Sequence, residues 1–313
     1  MSRKPAITAT GLKKAYDDKT VLDGIDISVD RGTVFALLGP NGAGKTTIVE
    51  ILSTLVPSDG GDIRIAGYNP SDDPDAVRSR IGVTGQFSAV DDYLSGEENL
   101  LLMADLHHLG KDERLTRTEA LLKKFDLVDS AEKLASTYSG GMRRRLDLAM
   151  TLIGRPEIIF LDEPTTGLDP RSRRTMWQII RELVSDGVTI FLTTQYLEEA
   201  DQLADHIAVL DQGRIVAQGT AAELKRHIPG GHIRLHFFDR DQLDTAAAVF
   251  DESSRDDAAY VLQVPSDGGV RSLRSLLDQL DAHSIDVKEL SVHTPDLDDV
   301  FLTLTATERT DAR

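Results

Sequence analysis

Through about residue 220 the chain alternates short apolar runs with glycine turns and amphipathic stretches, the pattern of an α/β domain on a mostly parallel sheet. Thr33–Leu38 predicts a buried strand, followed by a glycine-rich turn and a helix over about 45–55. Ile158–Leu161 and Thr189–Thr193 predict two further core strands. Ile207–Leu210 and Arg214–Gln218, joined through Asp211-Gln212-Gly213, predict a closing hairpin. Between about Phe87 and Ile153 the period changes from strand to helix. Met142, Leu146, Ala149, Met150 and Ile153 fall on one helical face, with Ser139 placed to cap that helix. This stretch is expected to be a helical insertion in the α/β domain.

The pattern breaks near His227-Ile228-Pro229-Gly230-Gly231-His232. Beyond it, Ile233–Phe238 and Tyr260–Val264 predict strands and Val270–Asp281 a helix, so the tail is expected to be a small α+β domain. From Gly231 to Arg313 there are 17 acidic and 8 basic residues, a net of −9, so this quarter of the chain carries over half of the total of −17. A field of that sign repels phosphate backbones and anionic headgroups, which argues against nucleic acid or a bare membrane as partner. Solubility and adaptation to a salty cytoplasm are the two readings of the acidity.

The longest apolar runs, Val34–Leu38 and Ile158–Leu161, are far short of the roughly 18 residues that cross a bilayer. Met1-Ser2-Arg3-Lys4-Pro5 leads into no apolar stretch of the secretory kind. Cysteine is absent, which excludes disulfides and thiolate metal sites. A cytosolic chain is expected, reaching a membrane only by docking onto another polypeptide.

Gly39-Pro40-Asn41-Gly42-Ala43-Gly44-Lys45-Thr46 fits G-x-x-x-x-G-K-[ST] between a strand and a helix. Such glycines let the backbone turn tightly enough to aim N–H groups at phosphates, and the helix adds its positive end. Lys45 is expected to reach the β- and γ-phosphates, and the Thr46 hydroxyl to ligate Mg²⁺. The strand Ile158–Leu161 ends in Asp162 and Glu163. A buried strand ending in two carboxylates needs partners for the charge. Asp162 is suited to hold Mg²⁺ and Glu163 to polarise an attacking water. Together these motifs specify a nucleoside triphosphatase. With no Asn-Lys-x-Asp guanine reader in the chain, ATP is favoured over GTP.

At Tyr138-Ser139-Gly140-Gly141-Met142-Arg143 the chain resembles the ABC transporter ATPases, whose signature is written LSGGQ. Tyr16 matches the adenine-stacking aromatic of that family, Gln86 the Q-loop, Gly167-Leu168-Asp169 the D-loop and Gln195 the switch position. The match runs from about residue 6 to 220. Thr84-Gly85-Gln86, Thr194–Asp201 and Asp296–Leu302 look most like the antibiotic-resistance (daunorubicin-type) exporter ATPases. The implied fold class is α/β: a P-loop NTPase core of ABC type with antiparallel β and helical subdomains over 1–228, then the α+β domain over 229–313.

The resemblance implies binding and hydrolysis of ATP with Mg²⁺ by a homodimer that drives a separate integral membrane permease. The implied nucleotide contacts are Tyr16, Gly39, Asn41, Gly42, Gly44, Lys45, Thr46, Thr47, Gln86, Ser139, Gly140, Gly141 and Asp169. Thr46, Gln86 and Asp162 are implied at the metal, with Glu163, Gln195 and Lys45 as the catalytic set. Ser139 and Gly141 would act in trans, on the γ-phosphate held by the partner subunit. Gln86 would pass changes at the metal to the permease.

Two positions depart from the family pattern. Met142 replaces the usual signature glutamine, and Gln195 stands where most members have a histidine that can carry charge. The runner-up function is a soluble ABC ATPase acting on ribosomes or DNA; Gln195 alone supports a third, a scaffold that binds ATP without turnover. The run Arg143-Arg144-Arg145 is expected on a solvated helix face, and His107-His108 on the surface.

Overall fold

The computed structural model describes residues 4–86, 88–226, 231–267, 269–293 and 296–301. Contacts divide the chain into two compact units, Met1–Ala221 and Ala222–Arg313. The expected break at His227–Gly230, the boundary residue Phe87 and Leu302 lie outside the described residues.

The first unit holds a six-stranded sheet ordered β5 (Ile81–Thr84), β6 (Ile158–Asp162), β7 (Thr189–Thr194), β3 (Val34–Leu38), β8 (His206–Asp211) and β9 (Arg214–Gly219). All neighbours are parallel except the β8–β9 hairpin. Every residue of β3, β6 and β7 is buried. That explains the unbroken apolar runs of β3 and of Ile158–Leu161 in β6, since a sheet covered on both faces has no polar side to alternate with. Phe35, Phe160 and Phe191 pack across these three strands, Phe35 stacking on Phe191 at 5.2 Å. Helices α1 (Lys45–Leu52), α2 (Pro74–Arg78), α6 (Pro170–Ser185) and α7 (Leu197–Leu203) belong to this layer. The helix expected to reach residue 55 stops at Leu52; Ser53 caps it and Thr54 takes a left-handed φ of 66°.

A second, antiparallel sheet is ordered β2 (Lys19–Val29), β1 (Ile7–Tyr16), β4 (Gly60–Ile65). Its inward residues Ile7, Leu22, Ile25 and Ile63 share a core with Ile48 and Leu52 of α1 and with Phe35. The helical stretch comprises α3 (Gly96–Leu106), α4 (Lys111–Lys124) and α5 (Gly140–Leu152) with two single turns of 3-10 helix. A reciprocal pair, Ser95 with Glu98, caps α3. As expected, Ser139 caps α5, its hydroxyl accepting from Met142 N at 3.2 Å.

The second unit follows α8 (Ala221–Arg226) with β10 (His232–Phe237), α9 (Arg240–Val249), β11 (Ser254–Asp256), β12 (Val261–Pro265), α10 (Val270–Ala282) and β13 (Val287–His293). The sheet order β11-β12-β10-β13, antiparallel throughout, is the split β-α-β arrangement. Ile233, Leu235 and Phe237 alternate along β10 and bury against Leu243 of α9 and Leu276 and Leu280 of α10.

Candidate nucleotide site

The glycine-rich turn leaves the C-terminal end of β3 in mid-sheet, where open α/β sheets place their ligands. It stays beside β7, because Gly39 N donates to Thr194 O at 3.3 Å. Gly44 begins α1 at φ 109°, and a side chain there would come within 2.7 Å of Leu22 Cδ2. Both facts require glycine. The turn and the start of α1 border a cleft of about 320 Å³. Asn41, Gly42, Gly44, Lys45, Thr46 and Thr47 line it together with Val21, Gln86 and Glu163. Of these, only Val21 was not anticipated; it sits on β2, whose place beside the turn no motif announces.

Lys45 is 5% exposed and donates to Gly39 O at 2.8 Å and Pro40 O at 3.1 Å, with its ammonium 3.4 Å from Glu163 Oε1. Thr46 Oγ1 donates to Asp162 Oδ2 at 3.0 Å, across 116 positions of sequence. The other oxygen of Asp162 accepts from Thr193 Oγ1. Thr46, which lines the cleft, and the Asp162 carboxylate bonded to it are hard oxygen donors of the kind Mg²⁺ takes. Glu163 adopts φ 48°. A left-handed non-glycine residue costs on the order of 1–3 kcal/mol and persists only where its surroundings impose it.

Residues 22–166 match the model of the ABC transporter family. The daunorubicin resistance ATP-binding protein DrrA3 of Streptomyces coeruleorubidus is 48% identical over 306 residues, covering 97% of each chain. The daunorubicin/doxorubicin resistance ATP-binding protein DrrA of Streptomyces peucetius is 44% identical over 96% of this chain and 92% of its own. A solved ATP-binding subunit of an ABC transporter superposes with a TM-score of 0.64 at 29% identity, covering 71% of this chain and 92% of its own. The chain belongs to the ABC transporter ATP-binding proteins. It is accordingly an ATP-binding subunit with ATP hydrolase activity. Subunits of this family form dimers and pair with membrane permeases. Among the described residues no helix is long and apolar enough to cross a membrane.

The remaining family motifs do not border the cleft. Ser139 and Gly140, at the start of α5, are exposed. Gly141 is packed so closely that a side chain would lie 2.4 Å from Ser172 Oγ. Ser172 donates to Asp169 Oδ2 at 2.6 Å, and Asp169 caps α6 through Arg171 N and Ser172 N. The signature and D-loop of this ABC subunit are therefore seated on each other. Tyr16 ends β1, 44% exposed, with the Lys14 ammonium 5.3 Å from its ring centre. Gln195 follows β7 and is half-buried.

Arg144 corrects the sequence expectation of a solvated face: it is buried, while Arg143 and Arg145 are half-buried. Arg143 pairs with Asp92, and Arg145 donates to Phe125 O at 2.7 Å. Arg144 is buried among backbone carbonyls of the site. A basic run shows its charge in the sequence, but not the carbonyls and acids that await it in space. His107 and His108 are exposed, as expected.

Glu199 of α7, fully buried, also went unnoticed; its Oε1 accepts from Thr165 Oγ1 at 2.8 Å and Trp177 Nε1 at 3.0 Å. Burial raises its pKa above the ordinary 4.5, against the pull of these hydrogen bonds. The folded chain thus keeps a proton that the unfolded chain releases above pH 4.5. The contribution of Glu199 to stability must fall as pH rises from that value towards the folded pKa. Glu199→Gln cannot ionise, so its melting temperature relative to the parent should climb as the pH is raised above 4.5. A difference that stays flat across that range would contradict the assignment.

Proposed function

We propose that this subunit powers an exporter of drug-like, hydrophobic compounds, working as a homodimer on a separate integral membrane permease at the cytoplasmic face of the cell membrane. The observation that carries this reading is the 48% identity, over 97% of both chains, to a protein named for daunorubicin resistance. Attachment comes through the permease, because a chain of net charge −17 gains nothing from anionic headgroups or nucleic acid.

In this reading the turn over 39–47 cradles the phosphates with backbone N–H groups, and Lys45 turns its ammonium to the β- and γ-phosphates. Tyr16 stacks on the adenine. Thr46, Asp162 and Gln86 would hold Mg²⁺, which neutralises charge on the phosphates when bound. Glu163 orients the attacking water and accepts its proton. Gln195 offers the γ-phosphate a neutral hydrogen bond, about half as strong as a charge-assisted one, so basal turnover is slow. Ser139, Gly140 and Gly141 at the start of α5, together with Asp169, face the nucleotide of the partner subunit, a helix end binding an anion.

Cells producing this chain with its permease should exclude a fluorescent anthracycline and survive it, whereas cells carrying Glu163→Gln should accumulate the dye. Equal accumulation by both, with ATPase activity of the parent intact, would reject drug export while leaving the ATPase reading untouched.

A further inference from the structure

Arg144 is 9% exposed, and its guanidinium lies where three segments of the site converge. Nε donates to Pro164 O at 2.9 Å and Nη2 to Asp162 O at 3.1 Å, so the residues on both sides of Glu163 are gripped by one side chain. Nη1 donates to Gly85 O at 2.9 Å, one residue before Gln86. Asp147, one turn along α5, lies 3.5 Å from the same nitrogen and accepts from Ala89 N at 3.2 Å, three residues after Gln86. The Arg144–Asp147 pair therefore holds backbone groups on both sides of Gln86 and on both sides of Glu163.

Glu163 needs such a hold. It combines a φ of 48° with a following Pro164, and the residue before a proline ordinarily takes extended backbone. A buried cation is expensive to desolvate, and replacing it with a well-packed apolar side chain is often neutral for stability. Stability alone is a poor reason for placing a guanidinium here. Its planar fork can serve three carbonyls of fixed direction at once, which an ammonium on a flexible stem cannot.

We propose that Arg144 is a positioning residue for hydrolysis: it holds Glu163 in its left-handed turn and locks Gln86 in register with it. Movement of the Gln86 segment is thereby transmitted to the hydrolytic geometry through one side chain. This rests on the reading of Glu163 as the residue that orients the water.

The test uses the full chain as parent, Arg144→Ala, Arg144→Lys and Glu163→Gln, with Mg-ATP affinity and turnover measured separately. Both Arg144 variants should bind ATP like the parent, while turnover falls about 10- to 100-fold, the effect of a small misplacement of a catalytic group. Millimolar methylguanidinium should restore part of the turnover of Arg144→Ala and none of that of Glu163→Gln. Arg144→Lys keeps a cation beside Asp147 and so folds even if the alanine variant does not. Parental turnover in Arg144→Lys, or losses of affinity and melting temperature that match the loss of turnover without chemical rescue, would overturn the proposal. Should Glu163→Gln itself hydrolyse ATP normally, the reading of Glu163 is what fails.

Discussion

Glu163→Gln should bind ATP as tightly as the parent or tighter, and hydrolyse it at least about 100-fold more slowly, the usual worth of a positioned general base. The substitution is nearly isosteric and keeps the contact at Oε2, where Thr166 Oγ1 donates at 3.2 Å. It removes a negative charge from the wall of a cleft that must take a nucleotide's phosphates, so affinity has no reason to drop. Blocked hydrolysis leaves the γ-phosphate in place, so an ATP-bound dimer should accumulate and elute at twice the parent's mass in Mg-ATP. Gln195→Ala is the informative neighbour. Losing one hydrogen bond to the transition state should slow turnover by one to two powers of ten, equivalent to roughly 1.4–2.7 kcal/mol, without trapping the dimer. Parental turnover in Glu163→Gln would remove Glu163 from the mechanism, and parental turnover in Gln195→Ala would make that side chain a bystander.

Lys45→Ala should be the most damaging change for binding. Its ammonium is held by Gly39 O and Pro40 O and stands against Glu163, so the cation is already aimed along the turn that would carry the phosphates. Removing a charged hydrogen-bond donor costs about 1.5–3 kcal/mol, or about 10- to 150-fold in affinity. Glu163, whose side chain is 10% exposed, is then left without its cation beside an incoming anion, which adds to the loss. Titration with a fluorescent ATP analogue reads the affinity directly. Lys45→Arg should not rescue it, since a planar fork cannot occupy the pocket shaped by two carbonyls for a compact ammonium. Unchanged affinity in Lys45→Ala would show that the turn binds phosphate through its backbone alone.

Much of this site was legible because its motifs are local. A strand, six residues of turn and a helix start settle where Gly39–Thr46 must point, and both ends are recorded in the hydrophobic pattern. The strand ending in Asp162 and Glu163 was readable for the same reason, as a fully buried run closed by two acids. The antiparallel sheet of β1, β2 and β4 left a fainter trace. Its strands are half-exposed and interrupted by register shifts, so their period of two is broken, and only the family resemblance announced them. Val21 was missed for that reason, since a valine in such a strand carries no sign of the cleft it borders.

The sequence by itself determined the α/β class, the phosphate-binding turn, the acidic strand end and the cap of the signature helix. Each depends on chain geometry within a dozen residues, where propensity and spacing act directly. Only the tertiary structure decided which groups meet: Thr46 with Asp162, Lys45 with Glu163, Thr165 with Glu199, and Arg144 with carbonyls from two distant loops. A backbone carbonyl has no identity in a sequence, and whether an arginine finds water or three of them depends on how α5 packs against β5 and β6. Burial turns that difference into chemistry, because a polar group removed from water must take the partners the fold supplies.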